Sequence, residues 1–148
     1  MKYLLDTSVF REIGKSEPHE HVRTWLAGVD DADLAISALT VREVAKGIAR
    51  LTVSKPAVAR AVTARTDAVF QAFAGRILSI DQAVAREWGK ALAQSEKHVD
   101  DAGFAATARI HDLILVTRNT RDVAMRRVSI LNPCKSPPQR HPADADTP

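Results

Sequence analysis

At 148 residues, with 45% hydrophobic and 26% charged side chains, the chain has the composition of a single soluble domain built on one core. Its one cysteine, Cys134, excludes an internal disulfide and a thiolate zinc cluster, and no apolar run nears the roughly 18 residues needed to span a bilayer, so a cytoplasmic protein without membrane attachment is expected. A net charge of +3 is too mild to indicate an anionic partner, and only local clustering of basic residues can do so.

The first element is the run Tyr3-Leu4-Leu5, which stops on Asp6. Short, apolar and bounded by polar residues, it reads as a central strand of a parallel sheet, buried on both faces. The carboxylate then lies at the strand's carboxyl end, the edge at which open α/β sheets bind ligands. A short helix is expected over 7–14, ended by Gly14, and another over 19–28, where Val22, Trp25 and Leu26 recur at helical spacing. Leu34-Ala35-Ile36-Ser37 is the next strand, followed by a helix over 40–51 with Val41, Val44, Ala45, Ile48 and Leu51 inward and Glu43 off that stripe.

Pro56 suits the first turn of a long helix to about residue 74, whose buried set is Val58, Val62, Val69, Phe70 and Phe73. Residues 77–80 form a strand, Asp81 caps the helix carrying Val84, Trp88 and Leu92, and Asp100-Asp101 precede a helix over 102–111. Residues 113–116 make a second fully apolar strand, and 128–131 an edge strand. Prolines concentrate beyond Asn132 and no large apolar residue follows Leu131, so residues 134–148 read as a flexible Pro-rich tail on a domain of residues 1–133. Strands alternating with helices of this length predict a three-layer α/β/α sandwich with a short parallel central sheet.

Three acids occupy comparable places: Asp6 after the first strand, Glu43 in the helix after the second, and Asp101 at the helix before the fourth. Gathered in one crevice, such carboxylates repel and take up protons unless a cation neutralises them. Magnesium suits that task, because it binds through one or two carboxylates and keeps several waters, which it acidifies while offsetting charge on a phosphate. Other readings stand beside this one. Asp6 and Asp101 each precede a helix and can serve as N-caps. Thr40-Val41-Arg42-Glu43 fits a capping box, in which the Thr hydroxyl and Glu carboxylate satisfy free N–H groups of the first turn.

Four stretches in order carry a family resemblance: Leu4-Leu5-Asp6-Thr7-Ser8-Val9; Ser37 to Glu43; Asp101-Ala102-Gly103-Phe104-Ala105-Ala106-Thr107-Ala108 running on into Leu115-Val116-Thr117-Arg118-Asn119; and Ile130-Leu131-Asn132-Pro133. Together they resemble the PIN-domain ribonucleases, and among them the VapC/FitB-like toxins of toxin-antitoxin pairs. The resemblance implies a PIN-like fold and an endoribonuclease dependent on magnesium or manganese. It implies that Asp6 and Asp101 hold metal, that Glu43 completes the acidic site, and that Thr7, Ser8, Arg118 and Asn119 face the RNA. A homodimer and a small DNA-binding antitoxin of the VapB/FitA type are implied as well. Many relatives carry Asp where this chain has Asn119; Asp122 is then the acid available as a fourth ligand.

Between Glu43 and Asp67 the only charged residues are Lys46, Arg50, Lys55, Arg60 and Arg65, and Arg118, Arg121, Arg126 and Arg127 form a second basic cluster. Basic stretches bordering an acidic crevice suit a phosphate backbone, although helical Arg and Lys also serve simply as solvated surface. A haloacid-dehalogenase phosphatase needs a second Asp where Ser8 stands, and a response-regulator receiver needs paired acids beside Asp6, so both fail on a named residue. An inactive PIN-like module that binds RNA or an antitoxin remains as the alternative, with Asn119 its main support.

Overall fold

A computed structural model describes residues 1–123 and 127–143, without the side chains of Asp122 and Val123. Tyr3–Leu5 (β1), Leu34–Ser37 (β2), Ile77–Leu78 (β3), Ile114–Val116 (β4), Ile130–Asn132 (β5) and Gln139–His141 (β6) form one sheet in the order β3-β2-β1-β4-β5-β6. Every pairing is parallel except β5 with β6. β1 is central, as its continuous apolar character predicts. The chain winds outward from β1 through β2 to β3, then returns to place β4 on the opposite side of β1. This reversal makes the carboxyl ends of β1 and β4 the switch point at which such sheets form a crevice.

Period-two alternation distributes the strand side chains between two cores. Leu4, Ala35, Leu115 and Ile130 pack with Phe104, Ala105 and Ala108 of the helix Val99–Ile110 (α6) and against Trp88 of Gln82–Gln94 (α5). Leu5, Ile36, Val116 and Leu131 face the other way, toward Val9 and Phe10 of Thr7–Phe10 (α1), Val22 of Glu20–Ala27 (α2), Val44 of Ala38–Ser54 (α3) and the aromatic rings that end Pro56–Ala72 (α4). Phe10 stacks on Phe70 with centroids 5.1 Å apart. A short helix, Thr120–Val123 (α7), follows β4. The three-layer sandwich expected from the alternation of elements is the observed fold.

Several elements differ in detail. α3 and α4 pack as an antiparallel-style hairpin whose outer surface has no layer above it, so Val58, expected inside, is 46% exposed, and Val53 near the hairpin tip is 89% exposed. Of that expected set, Phe73 is fully buried while Val62, Val69 and Phe70 are half-buried. The strand expected over 128–131 falls at Ile130–Asn132 and is not an edge, because Gln139–His141 pairs with it antiparallel. Side chains as polar as Gln139, Arg140 and His141 carry no hydropathic sign of a strand; the main-chain groups of β5 recruit them. Residues 144–148 of the Pro-rich segment lie outside the described residues.

Candidate functional site

β1 and β4 run in register, Leu5 beside Val116, so the first residues beyond them, Asp6 and Thr117, emerge side by side. The Asp6 N–H donates to the Val116 carbonyl at 3.0 Å, which holds that register to the strand ends. Asp6 is 8% exposed and both oxygens of its carboxylate accept hydrogen bonds. Oδ1 accepts from Val9 N at 2.9 Å, capping α1, and from Ser8 Oγ at 2.7 Å; Oδ2 accepts from Thr117 Oγ1 at 2.5 Å. The capping role read from sequence is therefore present, and it uses only one of the two oxygens.

From Thr117 the network continues to a second acid. Asn119 donates its backbone N–H to Thr117 Oγ1 at 3.0 Å and its side-chain Nδ2–H to Asp101 Oδ2 at 3.2 Å. Asp101 lies inside the first turn of α6 and not at its cap, which is His98 in the left-handed conformation with φ 53°. An acid in that turn is favoured by the positive end of the helix dipole. His98 Nδ1 also stands 3.9 Å from Asp101 Oδ2.

The third expected acid, Glu43, lies on α3. Ser37 caps α3, its Oγ accepting from Leu39 N at 3.0 Å, so the capping box suggested by Thr40 and Glu43 does not form. The helix starts earlier than the sequence pattern indicated, and Thr40, already inside it, is fully buried with its hydroxyl 3.1 Å from that of Thr7. Thr7 thus turns its hydroxyl toward the protein and ties the Asp6 turn to α3. One helical turn beyond Thr40, Glu43 keeps a 24% exposed side chain, with Arg42 Nη2 3.9 Å from its Oε1. The same Arg42 nitrogen contacts Asp100 Oδ2 at 2.5 Å, spanning from α3 to the start of α6.

Asp6, Ser8, Thr117, Asn119 and Asp101 therefore form one continuous hydrogen-bonded path, and the Thr7–Thr40 contact joins the helix of Glu43 to it. The Asp122 side chain lies outside the described residues, as does Arg126. Among the described residues no group of three His, Cys, Asp or Glu side chains is drawn together as a ready-made metal cage. The donors at this edge are hard oxygens from two carboxylates, hydroxyls and an amide, a set that fits magnesium or manganese, which takes one or two carboxylates and completes its shell with water.

Beside Ser8 opens a groove of about 550 Å³ between α1, α3 and α4. Phe10, Val44 and Ile48 are among its apolar lining, and Arg11, Lys15, Arg65 and Arg118 are its basic residues. The basic run between Glu43 and Asp67 does not act as one patch: Lys46, Arg50, Lys55 and Arg60 are exposed but do not line this groove, because a helical hairpin scatters them around its circumference. Arg11 and Lys15, close after Asp6, were passed over in the sequence. So was Thr117, whose sign was available: it follows the second fully apolar strand as Asp6 follows the first.

Two nearby groups have displaced titrations. Glu12 is buried, which pushes its carboxyl up, but the His19 N–H at 3.0 Å, the Lys15 ammonium at 2.9 Å and the more distant Arg118 together hold it below its ordinary value. Burial pushes the Cys134 thiol up, against the opposing effect of Arg118, which leaves it a poor nucleophile.

Comparison with known proteins agrees with this architecture. The PIN domain family model matches residues 3–131. The chain is 33% identical over 136 residues to Toxin FitB of Neisseria gonorrhoeae, covering 88% of this chain and 96% of that one. It is 30% identical over 135 residues, with the same coverage, to a VapC ribonuclease of Sinorhizobium fredii. A structure of FitAB bound to a DNA fragment superimposes with a TM-score of 0.78 at 32% identity, covering 90% of this chain and 96% of that one.

Proposed function

The chain belongs to the PIN-domain family, and on that premise we propose that it is the ribonuclease toxin of a toxin-antitoxin pair, hydrolysing RNA phosphodiester bonds with a divalent cation. The observation that carries this reading is the hydrogen-bonded path joining Asp6 to Asp101 at the carboxyl ends of β1 and β4. Asp6 and Asp101 would hold magnesium or manganese, with Glu43 alongside and Asp122 a possible fourth ligand. Such an ion supplies acidified water and offsets charge on the phosphate.

The protein's own residues do the rest. Glu43, the one carboxylate that α3 carries, takes a proton from the attacking water. Arg118, exposed and next to Ser8 in the groove, pairs with a phosphate oxygen, and Arg11, Lys15 and Arg65 extend that contact along the backbone. Thr7 contributes indirectly, by fixing the Asp6 turn on α3. Residues 1–133 carry all of these groups, so they are taken as the nuclease unit, with the segment from 134 as its extension.

A small DNA-binding antitoxin is the proposed partner, and a homodimer the proposed assembly. The groove beside Ser8 supports the first of these, since an antitoxin segment seated on its apolar floor would cover the same basic residues that are proposed to contact RNA. Among the described residues no helix is long and apolar enough to cross a membrane, in keeping with action on RNA in the cytoplasm.

The test is incubation of structured RNAs with wild type and Asp6→Asn, in magnesium or manganese and then in EDTA. Cutting by wild type only, and only with metal, is expected. Equal cutting in all lanes would point to a contaminant and overturn the reading. RNA retained but never cut would favour an inactive PIN-like binding module, the alternative that Asn119 and the lack of a three-acid cage among the described residues keep in view.

A further inference from the structure

Asn119 has two amide groups at this edge, and they do different work. Its backbone N–H occupies the Thr117 hydroxyl oxygen, and its side-chain Nδ2–H meets Asp101 Oδ2. A hydroxyl owns a single proton. With its oxygen accepting from Asn119, Thr117 delivers that proton to Asp6 Oδ2, so the orientation of Asp6 passes through Asn119 as does that of Asp101. The two acids come from the end of β1 and the first turn of α6, elements that share no strand pairing. An aspartate at 119 would supply no Nδ2–H and would set a further carboxylate against Asp101.

We infer that Asn119 is a positioning residue whose side-chain amide is a neutral tether for Asp101, and not itself a metal ligand or a contact to RNA; the arm to Asp6 through Thr117 runs from its main-chain N–H, which any residue but proline supplies. What the tether positions the acids for rests on the ribonuclease reading above. The tether itself operates in protein free of metal and RNA, and this separates the two ideas experimentally.

The experiment is thermal unfolding of wild type, Asn119→Ala, Asp101→Ala and the double variant, in EDTA without RNA. Asn119→Ala should lower Tm by roughly 3 °C in the wild-type background and by about 1 °C or less once Asp101 is already Ala, because a bond to a charged acceptor is lost only once. Additive losses would overturn the inference, since a residue reserved for metal or substrate has no coupling to Asp101 in their absence. In RNA cleavage, Asn119→Ala should reduce kcat by about tenfold with KM within about twofold, as expected for misplaced groups. A raised KM with kcat intact would instead make Asn119 a substrate contact and refute the tether. Were wild type to cut no RNA, the ribonuclease reading would fail while the unfolding cycle still decided the tether.

Discussion

Thr117 donates its hydroxyl proton to Asp6 across 2.5 Å, joining the ends of two strands that adjoin in the sheet and lie at opposite ends of the domain in sequence. Thr117 is 1% exposed, so neither partner can exchange this bond freely for one to water. Replacing Thr117 with Val keeps the shape and removes the donor. It should cost about 1.5–3 kcal/mol, the usual range for a bond to a charged group, while Thr117→Ser should recover most of the loss. Urea unfolding of the three proteins checks it; equal midpoints for Val and Thr would show that the bond contributes nothing.

Gly103 is a point of close approach between α6 and its neighbours. A Cβ there would stand 2.7 Å from Leu39 Cδ1 and 2.9 Å from Trp88 Cε2. Leu39 can yield, but Trp88 is held by its indole N–H on the Val99 carbonyl at 2.9 Å. Gly103→Ala should therefore destabilise by about 1–3 kcal/mol despite the better helix propensity of Ala, and should shift tryptophan emission. Gly89 of α5, with nothing within 4 Å of its would-be Cβ, is the control. Gly89→Ala should raise stability by up to about 1 kcal/mol.

Glu12 predicts a pH dependence with a definite sign. Its carboxyl is held below the ordinary value of 4.5 in the folded protein, so its contribution is fully present above that value and is lost as pH falls through the lower, folded one. Glu12→Gln should accordingly be less stable than wild type near neutral pH, with the gap closing as pH drops below about 4.5. Denaturation midpoints of both proteins, measured between about pH 7 and pH 3, decide the matter. A gap that widened toward acid would contradict the assigned direction.

Arg42 and Asp100 form an exposed pair whose worth in stability should be under about 1 kcal/mol. Each is the immediate neighbour of a proposed site acid, Glu43 or Asp101, and the pair bridges α3 and the start of α6. Arg42→Asp should slow RNA cleavage by about tenfold with little change in Tm, and adding Asp100→Arg should restore much of the rate. The comparison of initial rates fails the idea if the reversed pair is no faster than the single variant.

The elements whose cause is local were legible before any coordinates. Apolar runs at Leu4-Leu5 and Leu115-Val116 announced central strands, Asp81 announced a cap that Val84 N confirms at 2.9 Å, and Pro56 marked a helix start through the φ it permits. Asp6 and Asp101 stood out for the same reason, since a strand end and a helix start are written within a few residues. What remained hidden depended on residues distant in sequence. Thr40 fitted a local cap and instead buries its hydroxyl against Thr7; β6 owes its existence to unsatisfied main-chain groups on β5; Arg65 faces the groove while Arg60 does not, because helix packing sets the rotation. Above all, Thr117 meets Asp6 only because β4 lies next to β1. Hydropathy marks a strand as buried but does not name its neighbour, and that pairing is a choice made by the whole sheet.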